Sequence, residues 1–376
     1  MDKLRIGIDC RMAGLQHAGI GRYVENLVRE LIPLVSKEKL VLFFTNAEQA
    51  RAVLGTWLDS DSIEIVYVPI RHYSLEEQVL LPLYLYRAKL DLLHVPHFNA
   101  PLLYLKPLLI TIHDLLWHEQ KGTSVTTLPA WIYWLKYAAY RVIVAGVLNH
   151  AQLILTPAET VAQTVRSFAP NAAKKLAVVK EGVTSVYLDS FKQTEATRKL
   201  LVYTGSLYPH KNVKLLIDAL SELPNYSVAL VGSRSVFQES MRAYVAQKGL
   251  EKRVQFLGFL DDQALIKLYH NASALVFPTL SEGFGLPGVE AMAVGLPVLA
   301  SDIPILRETY HDAALFFDPL QVSALVSAVH KLEKADHKII LQKGKKVAAT
   351  YSWANMAQTI LTQYRKLNAN NSHVTS

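Results

Sequence analysis

The chain of 376 residues is 51% hydrophobic and 19% charged, a composition that excludes a disordered protein and suits two domains with buried cores. Its formal net charge of +7 is compatible with anionic nucleotides, an acidic membrane surface or nucleic acid as partners. Because the basic residues are scattered and no motif that reads DNA or RNA is present, we expect no nucleic-acid partner.

The chain contains a single cysteine, Cys10, which excludes a disulfide framework and favours a reducing compartment. The apolar run around Lys3 and Arg5 is too short for a secretory signal. We therefore expect a cytoplasmic protein.

Short apolar runs alternate with helical patterns along the first half of the chain. This alternation is typical of βαβ units and predicts a parallel sheet. The predicted strands of this half are 4–8, 41–44, 63–68, 92–95, 108–112, 153–156 and 176–179.

A polar passage at 184–199 is poor in helical pattern, and we interpret it as the linker between two domains. A second series of predicted strands follows it, again separated by helical segments, at 200–205, 226–232, 254–258, 274–278, 297–301 and 314–317. The sequence therefore predicts an α/β protein with two Rossmann-like, doubly wound domains, at 1–184 and 185–350, and ligands at the carboxyl ends of the strands. Residues 351–367 are predicted to form an amphipathic helix, and the polar residues 368–376 a frayed tail.

The first candidate site lies in GIGRY at 19–23, after the first predicted strand. Gly19 and Gly21 would allow a ligand to approach the backbone, and the start of the helix that contains Arg22 favours an anion. A tight turn between strand and helix explains the same residues equally well.

Two pairs of residues suggest metal ligands. His94 and His97 lie three residues apart, and Asp59 and Asp61 flank one serine. Neither pair has a third ligand in a recognised spacing. We interpret the histidines as packed or hydrogen-bonded and the aspartates as a solvated turn, and we expect no metal requirement.

His113 and Asp114 follow the predicted strand 108–112. A histidine at the carboxyl edge of a parallel sheet can point at a ligand, although a histidine that only caps the strand explains the pattern as well.

The stretch from Trp131 to Leu148 is the most apolar long segment, and it carries Lys136 and Arg141 near its middle. A buried or interfacial helix is favoured over a membrane span because of these two cations. Its aromatic residues leave shallow contact with the inner face of the cell membrane open.

The second predicted domain opens with a strand and a glycine turn at Gly205 and Ser206. Lys211 would supply a positive charge to a diphosphate, with help from His210 and Arg234. A lone lysine after a glycine turn is ordinarily a surface residue.

The stretch 275–301, LVFPTLSEGFGLPGVEAMAVGLPVLAS, predicts a strand, a turn, a short helix and a second strand. The backbone amides of Phe284, Gly285 and Leu286 belong to the start of this helix, which suits a phosphate. Glu282 and Glu290 lie on either side of that start and can accept hydrogen bonds from sugar hydroxyls.

With seven residues between them and set in SEGFGLPGVEAMAVGLPVLAS, Glu282 and Glu290 resemble the paired-glutamate signature of the retaining glycosyltransferases of family 4. The glycines, Pro287 and the closing GLPVLAS agree as well. The resemblance covers essentially the whole chain and implies the GT-B fold, in which two Rossmann-like domains face each other across a cleft. It also implies that the C-terminal helix, within 351–376, crosses back onto the first domain. The segment 71–102 resembles the mannosyltransferase-like branch.

The resemblance also implies roles for other candidates. GIGRY is similar to a family loop near the donor phosphate and the acceptor, and ITIHDLLW resembles a segment whose histidine, here His113, approaches the transferred sugar. Phe259 and Leu260 resemble the place where the family holds the nucleotide base. Three residues depart from the pattern, since Ser206 stands where arginine is common, Ala158 where serine is usual and Glu181 where asparagine is common.

The resemblance implies a retaining, metal-independent hexosyltransferase that moves a sugar from a nucleoside diphosphate to a hydroxyl acceptor. Mannose from GDP-mannose is favoured, with a glycan or lipid-linked acceptor in surface polysaccharide or glycolipid synthesis. In this hypothesis Glu282 binds the donor sugar, Glu290 binds the ribose, and Lys211 with the helix amides stabilises the leaving diphosphate. The alternatives are another GT-B enzyme, such as an epimerase or a phosphorylase, and a non-catalytic partner subunit.

Overall fold

The protein is described by a computed structural model that covers residues 3–14, 18–115, 129–192, 199–232 and 236–374. The described residues form two compact units. The first unit contains those before Val183 together with those from Trp353 onward, and the second unit contains those of Val183–Ser352.

The first unit is built on a seven-stranded sheet in which every pairing is parallel. Its strands are β1 Leu4–Asp9, β2 Glu38–Phe44, β3 Ile63–Tyr67, β4 Leu92–Val95, β5 Leu108–Thr111, β6 Leu153–Thr156 and β7 Leu176–Val178. The spatial order is β3-β2-β1-β4-β5-β6-β7, so the direction of winding reverses between β1 and β4. Every residue of β4 and β5 is buried, as expected for parallel strands covered on both faces.

Helices connect these strands. Those described in the first unit are α1 Ala18–Leu31, α2 Ala47–Leu54, α3 Leu75–Val79, α4 Leu81–Arg87, α5 Ala130–His150, α6 Glu159–Phe168 and, after the second unit, the C-terminal helix Trp353–Val374.

The second unit contains a six-stranded parallel sheet. Its strands are β8 Leu200–Thr204, β9 Ser227–Val231, β10 Val254–Gly258, β11 Ala274–Phe277, β12 Val298–Ser301 and β13 Leu315–Phe317. The order is β10-β9-β8-β11-β12-β13, with the reversal between β8 and β11. Its helices are α7 Ser185–Asp189, α8 Val213–Ala219, α9 Gln238–Gln247, α10 Asp262–His270, α11 Leu286–Val294, α12 Pro304–Tyr310, α13 Val322–Lys334 and α14 His337–Ala348. We number the C-terminal helix α15.

Each predicted strand is present at its predicted place, and the prediction of two doubly wound α/β sheets is confirmed. The prediction of a linker at 184–199 is wrong for its first part, because Ser185–Asp189 forms α7. Tyr187 in this helix is fully buried, and its hydroxyl donates a hydrogen bond of 2.7 Å to Asp262 Oδ1. A helix of five residues is too short to show a period of 3.6 in the sequence. Residues 193–198 lie outside the described residues.

The C-terminal helix α15 packs on α1 within the first unit. Its predicted apolar face is buried, at Trp353, Met356, Ile360, Leu361 and Tyr364. The Tyr364 hydroxyl is 2.6 Å from His94 Nδ1, and Arg365 Nε donates a hydrogen bond of 2.7 Å to Glu38 Oε1. Apolar packing and polar contacts together therefore tie the end of the chain to its first sheet.

The apolar helix α5 is buried on one side only. Its opposite side exposes Trp131, Trp134, Leu135 and Val142. Of the two predicted alternatives, buried or interfacial, a helix that is buried on all sides is therefore wrong for this segment. Among the helices that the structure describes, none has the combined length and apolar content needed to cross a membrane.

Candidate functional site

In the second unit, the segments that follow β8 and β11 meet at the point where the winding of the sheet reverses. The His210 carbonyl oxygen accepts hydrogen bonds from the Leu280 amide at 2.7 Å and from Thr279 Oγ1 at 3.3 Å. In open α/β sheets this reversal point is where ligands bind. The fold thus brings together residues that are about 70 positions apart in the sequence and that sequence analysis assigned to one site.

Lys211 and Glu282 form an ion pair at this point. Lys211 Nζ donates a hydrogen bond to Glu282 Oε2, and the two side chains are only 16% and 14% exposed. Such shielding strengthens the attraction relative to a surface pair. Without a ligand, the charge of Lys211 is therefore neutralised by Glu282. A phosphate that reaches Lys211 competes with this carboxylate for the charge of the ammonium group.

The start of α11 lies beside this ion pair. Gly285 caps the helix with a φ of +93°, in the left-handed region that favours glycine. Across the described ranges, the amides of Phe284, Gly285 and Leu286 donate no hydrogen bond. These donors, together with the positive end of the helix dipole, can bind an anion.

Glu290 lies in α11 and is only 4% exposed, unlike a solvated carboxylate on a helix surface. Both glutamates influence Tyr310, a residue that sequence analysis missed. Burial raises the pKa of Tyr310, and the nearby carboxylates of Glu282 and then Glu290 raise it further. The Tyr310 hydroxyl donates a hydrogen bond of 2.6 Å to the Gly285 carbonyl oxygen. Tyr310 thus lies near both acids and braces the helix start.

Tyr310 also explains two glycines of the motif. A Cβ atom at Gly288 would lie 2.3 Å from the Tyr310 hydroxyl oxygen, and one at Gly285 would lie 2.6 Å from it. Both distances are shorter than any van der Waals contact, so a larger residue would displace the tyrosine. These glycines allow the tyrosine to approach the backbone closely.

The segment after β8 positions Lys211. Gly205 has a φ of +150°, and the Tyr203 hydroxyl donates a hydrogen bond of 2.5 Å to the Ser206 carbonyl oxygen. A single helical turn of 3₁₀ type, Pro209–Lys211, follows. Burial, with a further effect of the Lys211 charge, lowers the pKa of His210 to about 3. His210 is therefore neutral near pH 7 and adds no positive charge to that of Lys211.

A recess that is open to solvent lies at the carboxyl ends of β8, β9 and β10. Its lining includes Gly205, Gly232 and Gly258 together with the side chain of Phe256. A Cβ atom at Gly232 would lie 2.1 Å from the Gly205 carbonyl oxygen, so glycine is needed here for backbone packing.

Of the other residues predicted to bind the donor, two lie directly after β10 and one lies outside the described residues. Phe259, directly after β10, is 53% exposed, and Leu260 is half-buried. Arg234 lies outside the described residues.

In the first unit, His113 lies two residues past β5 and forms a pair with Glu181. Its Nδ1 atom is 3.0 Å from Glu181 Oε1, and the side chains are 10% and 6% exposed. The ring of Tyr23 packs edge-on against the imidazole, with centroids 4.6 Å apart and an interplanar angle of 78°. Asp114 is partly buried, and its charge helps to raise the pKa of Tyr73, although burial of Tyr73 is the larger cause.

Sequence analysis missed the contacts of Tyr23 and Glu181 with His113. Tyr23 belongs to the GIGRY segment, and Glu181 was noted only as a departure from the family pattern. The departure from asparagine was the one signal in the sequence that could have pointed to an unusual partner for His113.

The predicted glycine-rich turn before α1 is wrong, because Gly19, Gly21 and Arg22 lie inside this helix. A Cβ atom at Gly21 would lie 1.9 Å from the Gly14 carbonyl oxygen, whereas a Cβ atom at Gly19 would have no described atom within 4 Å apart from the backbone of its own helix. Gly21 is thus explained by close packing of the helix on the preceding loop. Arg22 is half-buried.

His94 is hydrogen-bonded within the core, as predicted. Its Nε2 atom is 2.8 Å from Thr111 Oγ1, and its Nδ1 atom is bonded to Tyr364. Burial, with a smaller effect of His113, lowers the pKa of His94 to about 3, so the ring is neutral near pH 7. Of the side chains that are described, no group of three or more His, Cys, Asp or Glu could hold a metal ion.

Comparison with known proteins adds to this geometry. Residues 188–347 match the sequence model of the family described as glycosyl transferases group 1. Over 222 residues, 59% of the chain, the sequence is 28% identical to the O-antigen chain mannosyltransferase RfbU of Salmonella typhimurium, and the match spans 62% of that protein. Over 178 residues, 45% of the chain, it is 33% identical to the serotype-specific mannosyltransferase WbdA of Escherichia coli, spanning 22% of that protein.

Solved structures resemble nearly the whole chain. Sucrose-phosphate synthase from Thermosynechococcus elongatus matches with a TM-score of 0.75 and 19% identity, over 98% of this chain and all of that one. HepE from Anabaena, solved in complex with UDP and glucose, matches with a TM-score of 0.74 and 17% identity, over 96% of this chain and 99% of that one. Identities this low establish the fold alone, and the predicted GT-B fold is confirmed.

Proposed function

We propose that the protein is a hexosyltransferase that moves a sugar from a nucleoside diphosphate to a hydroxyl group, because residues 188–347 match the sequence model of the glycosyl transferases group 1. The observation that carries this proposal is the Lys211–Glu282 ion pair beside the unpaired amides at the start of α11. These groups supply a cation, three N–H donors and a carboxylate within one reversal point of a parallel sheet.

The arrangement suits a departing diphosphate. Negative charge develops on the diphosphate as its bond to the anomeric carbon breaks. Lys211 and the amides of Gly285 and Leu286 are fixed donors that stabilise this charge without reorganising. When Lys211 turns to the phosphates, Glu282 is released from its ion pair and becomes available to the hydroxyls of the sugar. Glu290, buried in α11, is assigned to the ribose hydroxyls.

We extend the proposal to the stereochemistry and to the absence of a metal requirement. Retention of the anomeric configuration is supported by the spacing of Glu282 and Glu290, which resembles the signature of family 4. Metal independence is supported by Lys211 and the helix start, which supply positive charge where a cation would otherwise be needed.

The donor and acceptor are also part of the proposal. RfbU and WbdA are both mannosyltransferases by name, which favours mannose, with GDP-mannose as the donor. RfbU acts on an O-antigen chain by name, which favours a growing, lipid-linked surface polysaccharide as the acceptor in the cytoplasm.

The test is a transfer assay preceded by a ligand screen. Sugar nucleotides that include GDP-mannose and UDP-glucose are first compared by the increase in melting temperature that each produces. The stabilising donor is then incubated with a lipid-linked glycan acceptor, with and without EDTA, and the anomeric configuration of the product is read by NMR. Transfer that is lost in Glu290→Gln and kept in the exposed control Glu222→Gln supports the proposal. Consumption of the donor at the same rate without any acceptor contradicts it.

We also propose that α5 binds the membrane surface peripherally. The helix contains two cations, Lys136 and Arg141, and no acidic residue, and it exposes Trp134 and Leu135 at 50% and 66%. An apolar face flanked by cations suits a surface of anionic lipid. Flotation with vesicles that contain phosphatidylglycerol should recover the protein, and the double variant Trp134→Ser, Leu135→Ser should not float. Equal flotation of this variant and of the control Leu320→Ser would contradict membrane contact through α5.

A further inference from the structure

The pair formed by His113 and Glu181 has a defined direction. An ionised carboxylate can only accept hydrogen bonds, so the proton of this contact belongs to His113 Nδ1. In the neutral imidazole the other nitrogen, Nε2, then carries a lone pair. Glu181 is 5% exposed, so water has little access to its carboxylate.

The imidazole ring is also fixed against rotation. Tyr23 packs edge-on against it, and the Tyr23 hydroxyl is held 3.1 Å from Thr111 Oγ1 in the core. A ring held by a hydrogen bond to Glu181 on one side and by an aromatic edge on another has one orientation.

His113 Nε2 is buried and, within the described part of the chain, has no hydrogen-bond partner. Leaving a buried acceptor unpaired costs about 1–3 kcal/mol, so a partner is expected when the site is in use. A sugar hydroxyl is such a partner, because it can donate to a lone pair. The residue at position 181 determines which nitrogen of the neutral His113 ring carries the proton. An asparagine amide can donate or accept and would permit either tautomer, whereas a carboxylate only accepts and permits one.

We propose that Glu181 is a positioning residue that locks His113 in the Nδ1–H tautomer, so that Nε2 accepts a hydrogen bond from a hydroxyl of the substrate. The identity of that hydroxyl as part of a sugar rests on the proposed function. The locked tautomer does not, because it follows from the Glu181 contact alone.

The first experiment measures the tautomer directly. The full-length protein is labelled with ¹⁵N-histidine, and the signals of His113 are assigned by their loss in His113→Gln. At alkaline pH, where imidazoles are neutral, we expect a single Nδ1–H tautomer in the native protein and in the exposed control Glu48→Gln. Glu181→Gln should give a mixture, because its amide can donate as well as accept. A native Nε2–H tautomer, or the same tautomer in Glu181→Gln, would overturn the proposal.

The second experiment separates positioning from stability. Loss of about one hydrogen bond predicts a fall of roughly tenfold in kcat/KM for sugar transfer in Glu181→Gln and in His113→Gln. The double variant should fall no further, because Glu181 acts through His113. Binding of GDP or UDP should stay unchanged, since the diphosphate is assigned to the second unit.

Two results overturn the positioning role even when transfer is active, namely additive effects in the double variant and full activity in Glu181→Gln. If no donor is transferred at all, the proposed function fails, and the NMR measurement still decides the tautomer.

Discussion

Separating the two partners of the Lys211–Glu282 ion pair should change nucleotide affinity in opposite directions. Lys211→Ala removes the cation and leaves Glu282 as an unpaired carboxylate beside the phosphate site. Glu282→Gln keeps the cation and removes both the competing partner and the negative charge. The two substitutions therefore distinguish a diphosphate site from an ion pair that only stabilises the fold.

The magnitude follows from the burial of the pair. The two side chains are 16% and 14% exposed, so this pair is better shielded than a typical surface ion pair. We take its contribution to stability as about 1 kcal/mol, the upper end of the range for surface pairs. A charge-assisted hydrogen bond from Lys211 to a phosphate contributes about 1.5–3 kcal/mol. Exchanging the ion pair for the phosphate contact therefore gives a net binding free energy of about 0.5–2 kcal/mol. Lys211→Ala loses this free energy, so GDP or UDP should bind roughly 2- to 30-fold more weakly. In Glu282→Gln no ion pair has to be broken, and binding should tighten roughly fivefold.

Isothermal titration calorimetry with GDP and with UDP measures these constants without requiring transfer. Glu222→Gln, an exposed substitution in the same unit, serves as the control and should leave both constants unchanged. Weaker binding in both Lys211→Ala and Glu282→Gln would refute the reasoning, because it would mean that the carboxylate supports the phosphate rather than competing with it. Unchanged binding in both would remove the diphosphate from this site.

Three further predictions concern packing and charge. Gly288→Ala should lower the melting temperature and weaken nucleotide binding, because its Cβ atom would lie 2.3 Å from the Tyr310 hydroxyl oxygen. Gly21→Ala, with a Cβ atom 1.9 Å from a backbone oxygen, should destabilise the protein by about 1–3 kcal/mol. Gly19→Ala, whose Cβ atom would have no neighbour within 4 Å among the described residues beyond its own helix backbone, should leave stability equal or slightly higher in the same thermal melts. The folded protein keeps His94 neutral, with a pKa of about 3, while the unfolded chain takes up its proton below about pH 6.5, so stability falls as pH is lowered from 6.5 toward 3. At pH 5 this loss amounts to about 2 kcal/mol of unfolding free energy. The variant His94→Gln does not suffer this loss, so its stability deficit relative to the native protein should be smaller at about pH 5 than at about pH 7.5. An equal deficit at the two pH values would contradict the buried neutral ring.

The fold could be predicted from the sequence because parallel strands that are buried on both faces appear as uninterrupted apolar runs. β4 and β5 are examples, since all of their residues are buried. α7 could not be predicted, because five residues do not establish a helical period. The exposed side of α5 could not be predicted either, since a helix that is apolar all round gives no signal for which side faces the core.

For the candidate site, local features were readable and long-range contacts were not. The helix start at Gly285 is a local pattern of glycine and proline, and it is present as predicted. The pairing of Lys211 with Glu282 depends on β8 and β11 being neighbours in the sheet, which no local pattern specifies. The neutrality of His210 likewise depends on burial, which became visible only with the fold.

The return of α15 to the first sheet sets an order for assembly during synthesis. Residues 183–352 leave the ribosome before Trp353, so the second unit has all of its strands while the first still lacks a helix. Until that helix is made, the face of α1 that packs on it is exposed, and His94 and Glu38 lack the hydrogen bonds that Tyr364 and Arg365 supply. A nascent chain released before Trp353 would thus have a complete second unit and a first unit with exposed apolar surface. It would depend on chaperones to avoid aggregation.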